Sequence, residues 1–226
     1  MGLLTSLLTN RILLKAIWVL WIILPYPVRK RVTTDGVRTL LYLKRVMGIY
    51  QQADLTPPKK IFTLSFWGVP RLDPEQFSLT VDGQVAHPLS LSFDDLKSYP
   101  VVNRQVTLDC VGGLQNIMTM RGVSLASLLE SAEPMHDADT AVFHCADGYF
   151  TTHPLADLAE TEAFLAYQIN GQDTPVHGFP LRLVSPNKYG YKWTKWVVRI
   201  ELASGSTLGY WEQRGLPDRA WVGDIR

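Results

Sequence analysis

The chain has 226 residues, 46% of them hydrophobic, with 22 Lys and Arg against 21 Asp and Glu. That length buries one sizeable core and at most one small extra module. A formal charge of +1 lacks the basic excess by which binding to a phosphate backbone shows itself, so nucleic acid is not an expected partner.

In chain order, the stretch from Leu3 to Leu24 is mostly apolar, with Trp18, Trp21 and Tyr26 near its far end and Arg29-Lys30-Arg31 beyond. The cleaner run, Ile12 to Leu24, is interrupted by Lys15. As a helix it covers about 20 Å, short of the roughly 30 Å hydrocarbon core of a bilayer. It spans if Leu3 to Leu8 is counted and otherwise lies in the interface. A buried core helix is the alternative, but the flanking cations and tryptophans resemble membrane anchors. A signal peptide would need a small-x-small cleavage site, and Pro-Tyr-Pro follows instead; no twin-arginine pair precedes the run. Cations after the run (Arg29, Lys30, Arg31, Arg38, Lys44, Arg45) outnumber Arg11 and Lys15 before it. The main domain is therefore expected on the cytoplasmic side, with a periplasmic placement as the alternative. Val37 to Tyr50 predicts an amphipathic helix suited to an anionic surface. Residues 1–54 are thus expected to form a membrane-associating segment, with an apolar helix over 12–24 and an amphipathic one over 37–50. Residues 55–60, with paired prolines, form a linker, and 61–226 form the globular domain.

Within that domain Phe77 to Val81, followed by Asp82-Gly83, predicts a strand and a tight turn, and Leu91 to Leu96 a short helix capped by Ser92. Arg104 to Asp109 alternates as a strand and runs into Cys110-Val111-Gly112-Gly113. Gly122 to Glu130 predicts an amphipathic helix, Thr140 to His144 a strand, and Leu155 to Ala159 the start of a helix. Strands with interspersed short helices indicate an α+β fold with a β-rich mixed core.

The segment His177 to Leu202 packs Arg182, Lys188, Lys192, Lys195 and Arg199 among Tyr189, Tyr191, Trp193 and Trp196. Leu181 to Val184 and Trp196 to Leu202 read as strands, with Ser185-Pro186-Asn187 and Gly190 marking a loop between them. A cationic, aromatic-walled loop held between core strands suits a phosphorylated ligand, because Lys and Arg supply charge and donors while the strands fix the backbone. The plainer alternative is a set of surface cations snorkelling beside an apolar core.

Cys110 and Cys145 form neither a zinc pattern nor a disulfide framework, so each is read as a thiol. Cys110 stands where a strand gives way to a Gly-Gly turn, a place where a side chain is held while a ligand approaches closely. A thiolate there serves as a nucleophile or as a soft metal ligand, against the plainer role of a small buried hydrophobe. As nucleophile it would need a basic partner among His87, His136, His144, His153 and His177, and no local signature selects one.

The runs TLDCVGG, RGVSLASLL, HCADGYFTTHPLADL and AFLAYQINGQDTPVHGFPLRLVSPNKYGYKWTKWVVRIEL resemble the oxidoreductase molybdopterin-binding domain of the sulfite oxidase family, over roughly Phe62 to Trp211. The resemblance implies a molybdenum centre held by the dithiolene of one molybdopterin and by one protein thiolate, with Cys110 at the ligand position. It places His177, Arg182 and the step Trp193-Thr194-Lys195 where the family binds the pterin and its phosphate, and Ser65 and Phe66 on the N-terminal segment that touches the cofactor. The chain also departs from true sulfite oxidases. Leu64, Ser65 and Phe66 replace a basic segment, Val111 to Gln115 replace a basic stretch after the cysteine, and Leu216 follows Gly209-Tyr210-Trp211-Glu212 where a tyrosine is usual. No immunoglobulin-like or haem-binding module is expected, which brings the architecture nearest to the bacterial methionine sulfoxide reductase catalytic subunit. The function implied is two-electron oxygen-atom transfer on a small S- or N-oxide or related molecule, with electrons exchanged with a separate membrane or soluble redox partner. The alternative is a non-catalytic protein of the same fold that binds an anion or a partner.

Overall fold

The computed structural model describes residues 24–46, 55–65, 67–205 and 207–223. The helix expected over 12–24 therefore lies outside the described residues but for its last residue, Leu24. The first described element is helix α1, Tyr26–Val46, which starts earlier than the expected amphipathic helix. Pro27 does not prevent this start, because a proline in the first turn lacks only an amide that has no helical partner anyway. The stretch expected as a linker is tied to the domain: Thr56 donates its amide to Ile117 O at 2.8 Å, and its carbonyl accepts from Asn170 Nδ2 at 3.1 Å.

Among the described residues nine strands form two sheets. The first contains β1 (Ser78–Gly83), β2 (Leu89–Ser92), β5 (Thr140–Cys145), β6 (Phe150–Pro154) and β9 (Val197–Ala203), in the order β2-β1-β9-β5-β6. The second contains β3 (Val101–Asp109), β4 (Gln115–Ser124), β7 (Phe164–Ile169) and β8 (Arg182–Val184), in that order. The β1–β9 pair is parallel and every other pair is antiparallel.

Successive residues of the second sheet serve two cores. Leu165 and Leu183 join Leu79, Val81, Phe143 and Ile200 between the sheets, while Phe164, Ala166 and Val184 pack with Met118, Met120 and Trp193 on the opposite face. A sheet covered on both faces needs near-continuous apolar strands, which is the pattern of Phe164-Leu165-Ala166. Short helices α2 (Phe93–Lys97), α3 (Leu125–Ala132) and α4 (Leu155–Glu160) follow directly on β2, β4 and β6. As expected, Ser92 caps α2, and it forms a full capping box with Asp95.

Two expected elements shift. Gly122 to Ser124 continue strand β4, and the helix begins only at Leu125, with Ser124 accepting from the Ser127 amide. At Gly122 a Cβ would stand 1.9 Å from Leu165 O, so the backbone pairs tightly with β7 where helix periodicity had been read. The strand expected from Trp196 begins one residue later, because Trp196 adopts φ 56° and the register shifts between His144 and Cys145. That irregularity buries both Trp196 and Val197 and breaks the simple alternation.

Candidate functional site

Four connections converge on one cavity of about 240 Å³. They are the β3–β4 turn, the β5–β6 turn, the β8–β9 loop and the segment that follows β9. Their lining residues include Cys110, Asp147, Arg182, Trp193, Thr194, Lys195, Trp211 and Leu216, and the stretch Phe62 to Leu64 with Trp67 completes the wall.

Cys110 stands at the tip of the β3–β4 hairpin. Its amide donates to Leu114 O and its carbonyl accepts from the Gly113 amide, both at 2.8 Å. Gly113 takes the left-handed φ of 74° that this tight turn requires. The Gly112 amide points at Cys110 Sγ at 3.4 Å, an arrangement that suits a thiolate. Gly190 lies against the end of β3, where a Cβ would meet Leu108 Cδ2 at 3.0 Å. A side chain here would have to displace the Leu108 side chain by a few tenths of an ångström. Cys145 is different: it packs in the core between the sheets and does not line the cavity. Burial, with Asp147 next, pushes its thiol well above the ordinary range.

Arg182 and Lys195 face each other as an antiparallel bridge pair, which sets their side chains together. Gly178 makes this possible. It sits at φ 112°, and a Cβ on it would stand 2.9 Å from Arg182 Cβ and 3.1 Å from Lys195 Cβ. Arg182 is 6% exposed; it donates to the His177 carbonyl at 2.8 Å and to Trp193 O at 3.3 Å, and its Nε is buried without a partner. Lys195 Nζ donates to Thr63 Oγ1, Leu64 O and Ser65 Oγ at 2.9, 2.7 and 2.9 Å, and lies 4.3 Å from the Trp196 ring centre. Burial and the neighbouring guanidinium lower Lys195 to about 8 and burial lowers Arg182 to about 10. Burial, then Arg182 and Lys195, bring His177 down to about 4. Three basic groups that all resist protonation, beside an orphaned guanidinium nitrogen, describe a pocket fitted to an anion.

The structure divides the sequence-stated candidates. Cys110, Arg182, Trp193, Thr194 and Lys195 line one cavity. His177 stands behind Arg182, Ser65 reaches the site through Lys195, and Phe66 lies outside the described residues. The basic loop as a whole is not a phosphate seat. Lys188 is 1% exposed and pairs with Asp157, Lys192 is 1% exposed and pairs with Glu212, and Arg199 makes a two-pronged contact with Asp82 at 2.9 Å. The acids that claim these cations come from α4, the C-terminal segment and β1, so the sequence of the loop does not reveal them.

Sequence reasoning missed Asp147 and the aromatic wall. Asp147 follows β5 in a turn closed by Gly148 at φ 83° and accepts from the Tyr149 amide at 3.1 Å; burial raises its carboxyl above the usual range. An acid between a strand end and a glycine was the available signal. Trp67 packs edge-on to Tyr210, with ring centres 5.0 Å apart.

Among the described residues no group of three or more His, Cys, Asp or Glu side chains is placed to hold a metal ion. The residues present fit molybdopterin: Cys110 could supply a thiolate, and the Arg182–Lys195 pair, with its unsatisfied Nε, could take a phosphate in the same cavity.

Residues 66–211 match the model of the oxidoreductase molybdopterin binding domain. An uncharacterized oxidoreductase of Bacillus subtilis, YuiH, is 34% identical over 172 residues, covering 73% of this chain and 87% of the relative. Human mitochondrial sulfite oxidase is 32% identical over 193 residues, covering 71% of this chain but only 35% of the enzyme. The chain thus spans about a third of the sulfite oxidase it matches. Among solved structures the sulfane dehydrogenase SoxCD of Paracoccus pantotrophus shares the fold, with a TM-score of 0.64 and 24% identity over 69% of this chain and 45% of that one. The chain belongs to the oxidoreductase molybdopterin-binding domain family, with sulfite oxidase-like relatives, and its cofactor is molybdenum–molybdopterin.

Proposed function

We propose that this molybdenum-dependent oxidoreductase carries out two-electron oxygen-atom transfer on a small, uncharged S- or N-oxide, exchanges electrons with a separate redox protein, and works attached to a membrane through its N-terminal stretch. In the reducing direction the substrate gains two electrons and two protons, its oxygen leaves as water, and the partner supplies the electrons. Cys110 would hold the molybdenum as a thiolate, and the bound metal would supply the two-electron redox chemistry. Arg182, Lys195, Trp193 and Thr194 would hold the pterin and its phosphate, and the Asp147 carboxyl, which lines the same cavity, would offer it a hydrogen-bonding partner.

The observation that carries this reading is the pairing of the cavity's two cations, Arg182 and Lys195, which the pterin phosphate would occupy. Arg182 is held by the His177 and Trp193 carbonyls, and Lys195 by Thr63, Leu64 and Ser65. Leu108, Val111, Trp211 and Leu216 line the same cavity as Cys110, and none of these four offers a charge-assisted hydrogen bond to an oxyanion such as sulfite. The test is to measure molybdenum and pterin in the purified chain and then compare S-oxides, N-oxides and sulfite with an artificial electron carrier. Stoichiometric metal with oxide turnover is the expected result. A chain that folds and purifies without molybdenum would instead be a binding protein of the same fold.

A further inference from the structure

The outer face of α1 is unusual for a helix docked on a globular domain. Such helices bury an apolar stripe and expose the polar one. Here the backbone at Arg29 and Lys30 presses on Gly215, where a Cβ would stand 2.6 Å from both Arg29 C and Lys30 N. Arg29 and Thr33 are half-buried, whereas Val28, Val32 and Leu43 are 44, 52 and 49% exposed, with Leu24 just before the helix at 38%. At 100° per residue the helical positions Val28, Val32 and Leu43 fall within roughly a 60° arc, which the exposed Thr39 shares and the exposed Asp35 borders. The helix sequence also carries Arg29, Lys30, Arg31, Arg38, Lys44 and Arg45 against the single acid Asp35.

An apolar arc on a strongly cationic helix matches a surface that is apolar inside and anionic outside. Among the described residues no helix is long and apolar enough to cross a membrane, so α1 is suited to lie in the interface. We infer that α1 docks in the plane of an anionic lipid surface through Leu24, Val28, Val32 and Leu43. Resting on the membrane attachment proposed above, this names the lipid chemistry and the face that meets it. The contact with Gly215 then fixes the domain relative to that surface. Gly215 takes φ 101°, and the neighbouring Leu216 lines the cavity, so α1 is one residue away from the wall of the site.

The test places an environment-sensitive fluorescent amino acid in the full-length, cofactor-loaded chain, at Val32 and, as a control, at Met135, an exposed apolar residue outside the helix. Vesicles contain phosphatidylcholine alone or with phosphatidylglycerol. The expected result is a blue shift at position 32 with phosphatidylglycerol, reduced by high salt and by Lys30→Glu with Arg31→Glu, and no shift at position 135. A chain that sediments with no vesicle would defeat both the membrane attachment and this inference. Sedimentation with unchanged emission at position 32 would leave the attachment standing and overturn the role of α1. A shift that follows protein concentration without vesicles would make the face a protein–protein contact and overturn it as well.

Discussion

Arg182 and Lys195 are held side by side at a cost, since each is buried and Arg182 also lowers the charge affinity of Lys195. Lys195 falls from 10.5 to about 8. Between those values the unfolded chain holds a proton that the folded chain lacks, so this group makes the cofactor-free protein more stable as pH rises through the window. Its penalty is fully present below about pH 8. A bound phosphate reverses the preference and needs the charged amine, so cofactor retention should fall as pH rises through about 8. Pterin release measured against pH checks this, and a flat profile that Lys195→Met leaves unchanged would contradict it. Removing Arg182 deletes hydrogen bonds to a charged group worth about 1.5 to 3 kcal/mol each, so Arg182→Ala should weaken pterin retention by one to two orders of magnitude. Unchanged pterin content would refute the placement. The two cysteines separate in the same way: Cys110→Ala should abolish turnover with the fold intact, while Cys145→Ala, a buried change away from the cavity, should retain most activity. Equal losses would defeat the assignment of Cys110.

At the level of elements, the C-terminal segment becomes a wall of the cavity because buried charges grip it. Glu212 is 0% exposed, accepts from Thr151 Oγ1 at 2.9 Å and pairs with Lys192, while Tyr191 donates to Pro217 O at 2.6 Å. Breaking one half of such a pair strands a buried charge, at about 3–5 kcal/mol, whereas apolar replacement of both is far milder. Glu212→Ala should therefore lower the urea midpoint strongly, and Lys192→Met with Glu212→Leu should recover most of the loss. Equal destabilisation by both would contradict the ion-pair account. The same elements show what was legible beforehand. The strand leading into Cys110, the Ser92 cap and the flanks of the basic loop could be read because local pattern and turn chemistry fix them. The destinations of Lys188, Lys192 and Arg199 could not, since their acids come from distant parts of the chain. Gly122 misled because its close approach to β7 is a tertiary contact.

For the whole molecule, two sheets with a shared core carry the loops that wall the cavity, and the two cations of its lining, Arg182 and Lys195, are the ones assigned to the pterin phosphate. An anionic substrate gains little there, so sulfite should be turned over far more slowly than a neutral S-oxide under the same electron carrier. Sulfite turnover matching that of the oxide would contradict the substrate reading. The central claim is that this cavity holds molybdenum–molybdopterin through Cys110. The most direct measurement is X-ray absorption at the molybdenum edge on the purified chain and on Cys110→Ser. The account predicts bound molybdenum with dithiolene and thiolate sulfur in the parent, and loss of one sulfur from the metal's ligands in the variant while pterin remains. An identical sulfur environment in both proteins would contradict it.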